Sequence, residues 1–508
     1  MLLDMHCHTY PKSMCSRILP VALVRRAVKA GLDGLVITEH HSLWSPEDLD
    51  GLRKKAVVPK SFVLLSAQEV ETELGHVLVY GAGHTISRKT TLDRIKTLFP
   101  DAFLVWAHPW RDGRIPSPEQ LQHPQLDGIE ILNGNQSIVE NYRGVSAWHT
   151  YRFKAIGGSD IHSKKRVATF PTLFDHPVTD LQSLVGQLHE GCARPLIVEQ
   201  RRQIAHGVRI QLQLGTRPQK KSTSCVVKHI NDGDAAWESA KQKAQIVERI
   251  RKSGFDDGYV RIPKIVGVDD LQSAIFEENL QGKTLLLLLP AVSFSMRRLL
   301  LNETVDWLIT FHSINHTFTS VGATRDQEKA FFRRCRDVLE TIPHRYRVRF
   351  RDALGFVEQS ESMAFDRRGG TDTFVQIHGS FAPQNVLIGY GSPFSRQPSY
   401  IAAVNCEQTV VWDPAFDIAN LIAHLRYRFW KDRDLLADAD YDAMTDRWAQ
   451  GLSIRQDDSL VHRIHMYTLR ANMGIVRDMI MDGVNTSSSQ FKWVMKRVFT
   501  DYKAISQR

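Results

Sequence analysis

The sequence contains no hydrophobic segment long enough to cross a membrane and few cysteines for its length. The longest apolar run, TLLLLLPAVSF, is far shorter than the roughly 20 residues of a membrane span and includes a proline. The six cysteines form no CxxC pair, and their scatter does not indicate a disulfide framework. The beginning of the chain also lacks the basic and apolar segments of a secretion signal. We therefore expect a cytoplasmic protein without a membrane partner.

The length of 508 residues predicts two or three domains, and the net charge of +9 is moderate for that length. Part of the positive charge lies in FFRRCRDVLETIPHRYRVRF, where arginines alternate with aromatic residues. Such a segment could contact a phosphate-rich partner. A solvated helix face is the favoured interpretation, so a nucleic-acid partner is not favoured on charge alone. The sequence does not indicate an oligomeric state.

Short apolar strands recur through the first two hundred residues. They are MLLDMHCH, GLVITEHH, FVLLSAQEVE, HVLVYGAG, AFLVWAHP, GIEILNG and FKAIGGSDIH. Between the first two lies LPVALVRRAVKAGLDG, which has apolar residues at helical spacing and a glycine stop. Strands that alternate with helices and are apolar throughout predict a parallel sheet. About seven such units indicate a closed or nearly closed β/α barrel.

Histidines and carboxylates concentrate at the carboxyl ends of these strands, where a barrel brings residues that are distant in sequence together. In DMHCHT, strand alternation places Asp4, His6 and His8 on one face. The other members are Glu39, His40, Glu69, His108, Asn133, Asp160 and His162, while His76 opens its strand instead. Imidazole and carboxylate suit zinc, manganese and iron, and the set is large enough for two or three ions. His123, His149 and His176 are interpreted as ordinary structural histidines.

The motifs DMHCHT, ITEHH, AQEVET followed by GH, AHPWR, and GGSDIH resemble, in order, those of the PHP (polymerase and histidinol phosphatase) family. The resemblance implies a distorted (β/α)7 barrel over residues 1–198 that hydrolyses phosphate esters with two or three metal ions. It implies as ligands His6, His8, His40, Glu69, His76, His108, Asp160 and His162. Many members have a further Asp or His where this chain has SMCS, so Cys15 is a candidate soft ligand. Glu39 stands where the family often has Asp and is expected to orient His40.

The chemistry expected of such a centre is attack on phosphorus by a water whose pKa the metals lower. Arg111, directly after AHPW, is placed to contact a substrate phosphate, although a surface role is equally compatible with its position. The expected substrate is a phosphorylated small molecule or a nucleotide. The sequence does not distinguish a monoester from a diester.

The second half of the chain resembles the aminoglycoside phosphotransferase branch of the protein-kinase-like fold. The resemblance covers roughly residues 205–508 and lies in CVVKHIN, IHGSFAPQN and DPAFDIANLI. It implies an α+β bilobal domain in which Lys228 contacts nucleotide phosphates and residues 276–285 form the hinge. Asp417 would brace the catalytic loop, and Glu238, Glu248 or neither would be the helix glutamate. The basic, turn-rich residues 199–222 are expected to form a linker, which leaves residues 223–508 for this domain.

This domain departs from its family at the acidic positions. Ser380 occupies the catalytic aspartate position, Asn405 occupies that of the metal-binding aspartate, and only Asn385 matches. Phosphoryl transfer requires carboxylates to hold magnesium and to accept the substrate proton. The neutral side chains predict a kinase-like domain without catalysis, which could still bind a nucleotide.

The sequence as a whole predicts an α/β phosphoesterase joined to a degenerate kinase-like domain that recognises substrate or regulates. Two alternatives remain open. One is a regulatory protein that binds a nucleotide or nucleic acid and whose barrel metals are structural. The other is an atypical small-molecule phosphotransferase.

Overall fold

The computed structural model describes residues 1–86, 90–162, 169–204, 207–215, 224–256, 258–367, 374–391, 395, 397–432 and 434–506. The chain forms two compact units. The first comprises Met1–Gly233 and Val266–Asn279, and the second comprises Asp234–Ile265 and Leu280–Arg508. The boundary at Asn279 falls inside the segment predicted as a hinge.

Helices and strands account for most of both units. The elements up to residue 230 are β1 (Leu2–Cys7), α1 (Pro20–Lys29), β2 (Gly34–His40), α2 (Pro46–Ala56), β3 (Val63–Thr72), β4 (Gly75–Tyr80), α3 (Leu92–Leu98), β5 (Phe103–Trp106), α4 (Pro118–Leu121), β6 (Gly128–Asn133), α5 (Ile138–Tyr151), β7 (Ala155–Gly158), β8 (Thr172–Phe174), α6 (Leu181–Glu190), β9 (Ala193–Pro195), β10 (Ile197–Ile204), β11 (Gly207–Leu214) and β12 (Ser224–Ile230).

The later elements are predominantly helical. They are α7 (Asp234–Arg251), β13 (Val260–Arg261), β14 (Ile265–Asp269), β15 (Ala274–Glu278), β16 (Lys283–Thr284), α8 (Leu285–Leu288), α9 (Phe294–His312), α10 (Val321–Asp337), α11 (His344–Arg367), β17 (Val375–Ile377), β18 (Val386–Gly389), β19 (Tyr400–Ala403), β20 (Val410–Trp412), α12 (Ala415–Arg428), α13 (Asp438–Gly451), α14 (Asp458–Met481) and α15 (Ser489–Ser506).

A nine-stranded sheet dominates the first unit, with the order β7-β6-β5-β4-β3-β2-β1-β8-β9. The pairs β1–β2, β2–β3, β5–β6 and β6–β7 are parallel, as the apolar strands predicted. The two ends of the β7-to-β1 series also meet, because Cys7 bridges to Ile161 and Asp160 N donates to His6 O at 2.7 Å. The sheet is therefore nearly closed, and its strand ends face a common centre.

Strand β4 runs antiparallel to both of its neighbours, which corrects the expectation of an all-parallel ladder. The turn between β3 and β4 is only two residues long, and Gly75 has a φ of +100° there. A turn this short can join only antiparallel strands, because a parallel pair needs a crossover connection. The reversal brings the amino end of β4, with His76, to the edge where the parallel strands have their carboxyl ends. It explains why His76 opens its strand.

A second sheet in the first unit has the order β10-β11-β12-β15-β14. Its buried residues Ile210, Leu212 and Phe276 share a core with Trp106 and Ile131 of the nine-stranded sheet. The predicted linker at 199–222 is therefore wrong for the described residues 199–204 and 207–215, which lie in β10 and β11. GVRIQLQL alternates polar and apolar residues, which is the pattern of a strand with one buried face.

The second unit has one large core built mainly from helices α9 to α15. Its largest fully buried side chains include Trp307, Trp412 and Trp448. Two small sheets accompany the helices, with the orders β13-β19-β18-β16 and β17-β20. Across the described parts of both units, no helix combines the length and apolar character needed to span a membrane.

Candidate metal centre

The predicted ligands converge at the carboxyl edge of the nine-stranded sheet. They come from the later parts of β1, β2 and β3 or from the loops after β1, β5 and β7, except His76 at the start of β4. His6, His8, Glu69 and Asp160 are at most 1% exposed. The cost of burying ionised groups is several kcal/mol each unless opposite charges compensate them. The cluster therefore requires compensating positive charge at its centre.

Glu69 lies at the centre of the cluster, and its two carboxylate oxygens face different histidines. Oε2 is 3.0 Å from His8 Nε2 and 3.3 Å from His40 Nδ1. Oε1 is 2.8 Å from His76 Nδ1 and 3.1 Å from His108 Nε2. A carboxylate placed in this way can bridge two ions, one on each oxygen.

Asp160 provides the second carboxylate and completes one ligand group. Its Oδ1 lies 3.6 Å from His6 Nε2 and 3.4 Å from His8 Nε2. His6 Nε2 is 3.0 Å from His8 Nε2 and 3.4 Å from Glu69 Oε2. Ligand atoms on one tetrahedral ion with bonds of 2.0–2.2 Å lie roughly 3.3–3.6 Å apart. The distances among these four atoms, 3.0–3.6 Å where they are given, are close to the spacing that a single bound ion requires.

Three groups of ligand atoms in the described residues each lie within 4.8 Å of one another. They are His6, His8 and Asp160; Glu69, His76 and His108; and His8, Cys15 and His40. His162 belongs to none of the three, although its Nδ1 is 3.4 Å from Asp160 Oδ1. The donor set of imidazole, carboxylate and thiol fits zinc, manganese or iron better than calcium or magnesium. The residues thus fit two or three ions.

The pKa values of the carboxylates follow from this packing. Burial would raise the pKa of Glu69, but the charge on His6 and hydrogen bonds from His108, His6 and His76 hold it well below its usual value. Burial would likewise raise the pKa of Asp160, and the charge of His6 with the hydrogen bond to His8 lowers it well below the usual value. Both carboxylates are therefore ionised.

The histidines respond in two ways. Burial lowers the pKa of His8, but hydrogen bonds to Asp160 and Glu69 outweigh that effect and raise it to about 9. Burial, with the charges of His8 and His76, lowers the pKa of His40 to about 4 despite Glu69. In the metal-free chain, protons between the histidines and carboxylates thus neutralise the centre. A divalent cation would replace those protons, whereas His40 offers its lone pair without losing one.

Glu130 belongs to the site although sequence reasoning missed it. Its Oε1 lies 2.9 Å from His6 Nδ1, and its Oε2 accepts hydrogen bonds from His108 N and Asn133 Nδ2, both at 2.9 Å. The contact with Glu130 fixes the orientation of the His6 ring, so that Nε2 points toward Glu69 and Asp160. The signal that could have found it is a lone acidic residue inside the apolar strand GIEILN.

The backbone is strained at two of the ligands. His108 has a φ of +36° and Asp160 a φ of +43°, in the region that L-residues seldom occupy. The hydrogen bonds from His108 N to Glu130 and from Asp160 N to His6 O hold these conformations. Strain of this kind is concentrated at functional sites, where the surrounding structure enforces it.

Arg111 lies beside the ligand group rather than on the outer surface. Its Nη2 donates to Asp160 Oδ2 and, at 3.0 Å, to Asn133 Oδ1. Its Nε is buried and has no hydrogen-bond partner among the described residues. The Arg111 side chain is 24% exposed, so an anion that reaches the cluster can contact it.

Glu39 and Cys15 occupy different surroundings. Glu39 is fully buried and accepts hydrogen bonds from Thr9 N at 3.0 Å, Thr9 Oγ1 and Trp44 Nε1 at 3.2 Å. These partners hold the loops after β1 and β2 together, and the described hydrogen bonds of Glu39 do not include His40. Cys15 is exposed at the rim. His123, His149 and His176 lie outside the three ligand groups, as expected.

In the second unit, Ser380, Asn385 and Asn405 are connected to one another by hydrogen bonds. Asn405 Nδ2 donates to Asn385 Oδ1 at 2.9 Å, and Asn385 Nδ2 donates to Ser380 O at 2.8 Å. Asp417 accepts hydrogen bonds from His378 N at 2.6 Å and Gly379 N at 2.9 Å, so it braces the loop before Ser380.

Lys228 lies in the first unit and forms an ion pair with Glu277 at 2.7 Å. The two candidate helix glutamates pair within α7 instead. Glu238 contacts Lys241 at 2.7 Å, and Glu248 contacts Arg251 at 2.9 Å. The described ion pairs therefore favour neither of them as a partner of Lys228.

Comparison with known proteins gives no family assignment. No protein-family model matches the chain, and no curated protein matches it. Solved structures with similarity include an ethanolamine kinase from Plasmodium vivax, which is 14% identical with a TM-score of 0.38, over 60% of this chain and 81% of that protein.

Two further solved structures are also similar to parts of this chain. An aminoglycoside phosphotransferase from Streptomyces rimosus is 13% identical over 54% of this chain and 92% of its own, with a TM-score of 0.38. A protein described as a metal-dependent phosphoesterase from Bifidobacterium adolescentis is 17% identical over 37% of this chain and 95% of its own, with a TM-score of 0.27. These TM-scores are too low to carry a function, which must come from the site itself.

Proposed function

We propose that the first unit is a distorted β/α barrel of the PHP kind that hydrolyses phosphate esters with two or three divalent metal ions. The observation that carries this proposal is the position of Glu69, whose two oxygens face separate groups of histidines. A bridged pair of ions is the arrangement that phosphatases and nucleases use for displacement at phosphorus. When bound, the ions would lower the pKa of a water and attract the phosphoryl oxygens.

The side chains of the cluster have separate tasks in this proposal. His6, His8 and Asp160, with Oε2 of Glu69, hold one ion position, and Oε1 of Glu69, His76 and His108 hold the other. Arg111 donates from the exposed part of its guanidinium to a phosphate oxygen while Asp160 and Asn133 keep the side chain in place. Charge-assisted hydrogen bonds of this type orient an anionic substrate strongly. The substrate class is a phosphorylated small molecule or a nucleotide.

A panel of substrates tests the proposal on the full chain. Protein purified with its native metals is assayed with an aryl phosphate monoester and the corresponding diester in the presence of manganese, and its metals are determined by elemental analysis. The proposal predicts at least two equivalents of metal and turnover of one of the two esters. Two equivalents of metal without turnover of either ester, or of nucleotides and sugar phosphates, would favour a regulatory protein with structural metals.

A second candidate function belongs to the kinase-like residues, which we propose bind a nucleotide without transferring its phosphate. The hydrogen bond between Asn385 and Asn405 favours this assignment, because it joins the two positions that would otherwise hold magnesium. Neither side chain carries the negative charge on which magnesium binding depends. An active phosphotransferase would instead consume ATP with magnesium after His6 and His8 are replaced.

A further inference from the structure

A basic groove lies between helices α11 and α15 of the second unit. It has a volume of about 670 Å³, and its lining includes Arg349, Lys492, Lys496 and Lys503 together with the rings of Tyr346 and Phe499. The lining contains four cations and no carboxylate. Nothing in the proposed phosphoesterase or nucleotide functions uses this groove.

The positive charge of the groove is not neutralised within the described part of the chain. Arg349, Lys492, Lys496 and Lys503 form no ion pair there, although other arginines of the same basic segment do. Arg336 pairs with Glu358 at 2.7 Å, for example. The four cations that line the groove are exposed, so their charge is available to a ligand, and only Arg349 of them belongs to the basic segment noted in the sequence.

The aromatic rings hold one of these cations in place. The guanidinium of Arg349 lies 4.5 Å from the ring centre of Phe499, and the rings of Phe499 and Tyr346 are 6.0 Å apart. Stacking against a ring restricts the guanidinium to a plane and leaves its N–H edge free for an anion. One of the four cations is therefore held in a defined position beside the rings.

The lysines on α15 form a line along the groove. Lys492, Lys496 and Lys503 are spaced by four and seven residues, which places them on one face of the helix over roughly 16 Å at 1.5 Å per residue. A row of cations beside aromatic rings is the combination that binds a single strand of nucleic acid through its backbone and bases. The concave shape and the half-buried rings do not suit a flat membrane surface, which needs apolar side chains that project outward.

We propose that the groove between α11 and α15 binds single-stranded nucleic acid through its phosphates. The groove has the volume of a small-molecule pocket, which accommodates the bases of one or two nucleotides, while the row of lysines along α15 contacts the phosphates on either side of them. The binding is independent of sequence, because the lining offers charge and ring faces rather than a fixed set of donors for base edges. This site is separate from the metal centre and does not depend on its activity.

Fluorescence anisotropy with a labelled 12-nucleotide deoxythymidine strand tests the proposal. The measurement uses the full chain in EDTA, so that the metal centre cannot cleave the probe. With four phosphates contacted, log K should fall with log salt with a slope of about −3. In Lys492→Gln/Lys496→Gln, binding should weaken and the slope should become less steep by about 1.4.

A matched variant controls for the loss of charge. Lys54 and Lys55 on α2 are likewise exposed and positive, and neither lines the groove. Lys54→Gln/Lys55→Gln should bind the strand as the unmodified protein does. Equal weakening by both pairs would overturn the proposal, as would a salt slope near zero. Binding to phosphatidylserine vesicles or to a poly-glutamate peptide, with none to the strand, would also overturn it and assign the groove to a membrane or an acidic protein.

Discussion

Glu130 fixes the orientation of His6, because its Oε1 lies 2.9 Å from His6 Nδ1 and leaves Nε2 directed at Glu69 and Asp160. A metal-ligating histidine commonly has such a carboxylate on its other ring nitrogen. The contact orders the ligand before any ion arrives. The candidate metal centre therefore includes a residue that orients a ligand without being one of the proposed ligands.

The first prediction follows from this contact. In Glu130→Gln the charge that orients His6 is lost, so the affinity for the tightest ion should fall by about 10- to 100-fold while the fold is retained. Competition with a metal-sensitive dye measures the affinity, and circular dichroism checks the fold. Glu119→Gln on α4, an exposed carboxylate away from the cluster, is the control and should leave the affinity unchanged. Unaltered affinity in Glu130→Gln would remove this residue from the centre.

The second prediction concerns Arg111. Arg111→Ala should lower kcat/KM by about 10- to 100-fold, because a charged hydrogen bond to the substrate contributes about 1.5–3 kcal/mol. Metal affinity should not fall, since the variant removes a competing cation from Asp160. Steady-state kinetics with the best ester, beside a metal determination, separates the two effects. The rate of Arg111→Lys should lie between those of Arg111→Ala and the unmodified protein, because lysine keeps the charge but lacks the planar set of N–H donors of a guanidinium. Unchanged kinetics in both variants would show that Arg111 does not contact substrate.

The third prediction concerns Cys15, which groups with His8 and His40 at the rim. If its thiolate is a ligand, protein loaded with cobalt(II) should show a sulfur-to-cobalt charge-transfer band that Cys15→Ser lacks. Cys192 is outside the three ligand groups, so Cys192→Ser should retain the band. A cobalt spectrum that is identical in Cys15→Ser and the unmodified protein would exclude Cys15 as a ligand.

The fourth prediction concerns the second unit. Nucleotide binding, measured as the shift in thermal midpoint with ATP, ADP and AMP, should be weak and nearly the same with and without magnesium. The reason is that Ser380 and Asn405 replace both carboxylates of a kinase site, and the amide of Asn405 is bonded to Asn385. In Ser380→Asp/Asn405→Asp the shift should become larger with magnesium than without it. A large, strictly magnesium-dependent shift in the unmodified protein would mean that another carboxylate holds the metal.

The grouping of the candidate ligands at one edge of the sheet could be predicted because the physical rule behind it is simple. Parallel strands bring their carboxyl ends to one edge, so His6, His40 and Asp160 could be grouped without knowing the fold in detail. The reversal of β4 was not predicted, although the short turn at Gly75 contains the reason for it. Glu130 was missed because the prediction considered only polar residues at strand ends. In this strand that residue is Asn133, whereas Glu130 lies inside the strand.

The second sheet shows a different limit of sequence reasoning. The charged residues of β10 and the turn-forming residues after β11 indicated a linker, yet the apolar positions Ile210, Leu212 and Leu214 alternate as in a strand. Their partners, such as Trp106 and Ile131, lie about eighty residues or more away in sequence. Local composition does not reveal packing between segments so far apart.

Metal titration of the metal-free protein, with hydrolysis of the best ester followed at each addition, tests the central claim most directly. Because Glu69 gives one oxygen to each ion position, activity in the unmodified protein should rise only as the second equivalent binds. Glu69→Ala should bind less metal and remain inactive at every addition, whereas Glu119→Gln should follow the unmodified protein. Full activity after one equivalent, or hydrolysis by Glu69→Ala at the unmodified rate, would contradict the bridged metal centre.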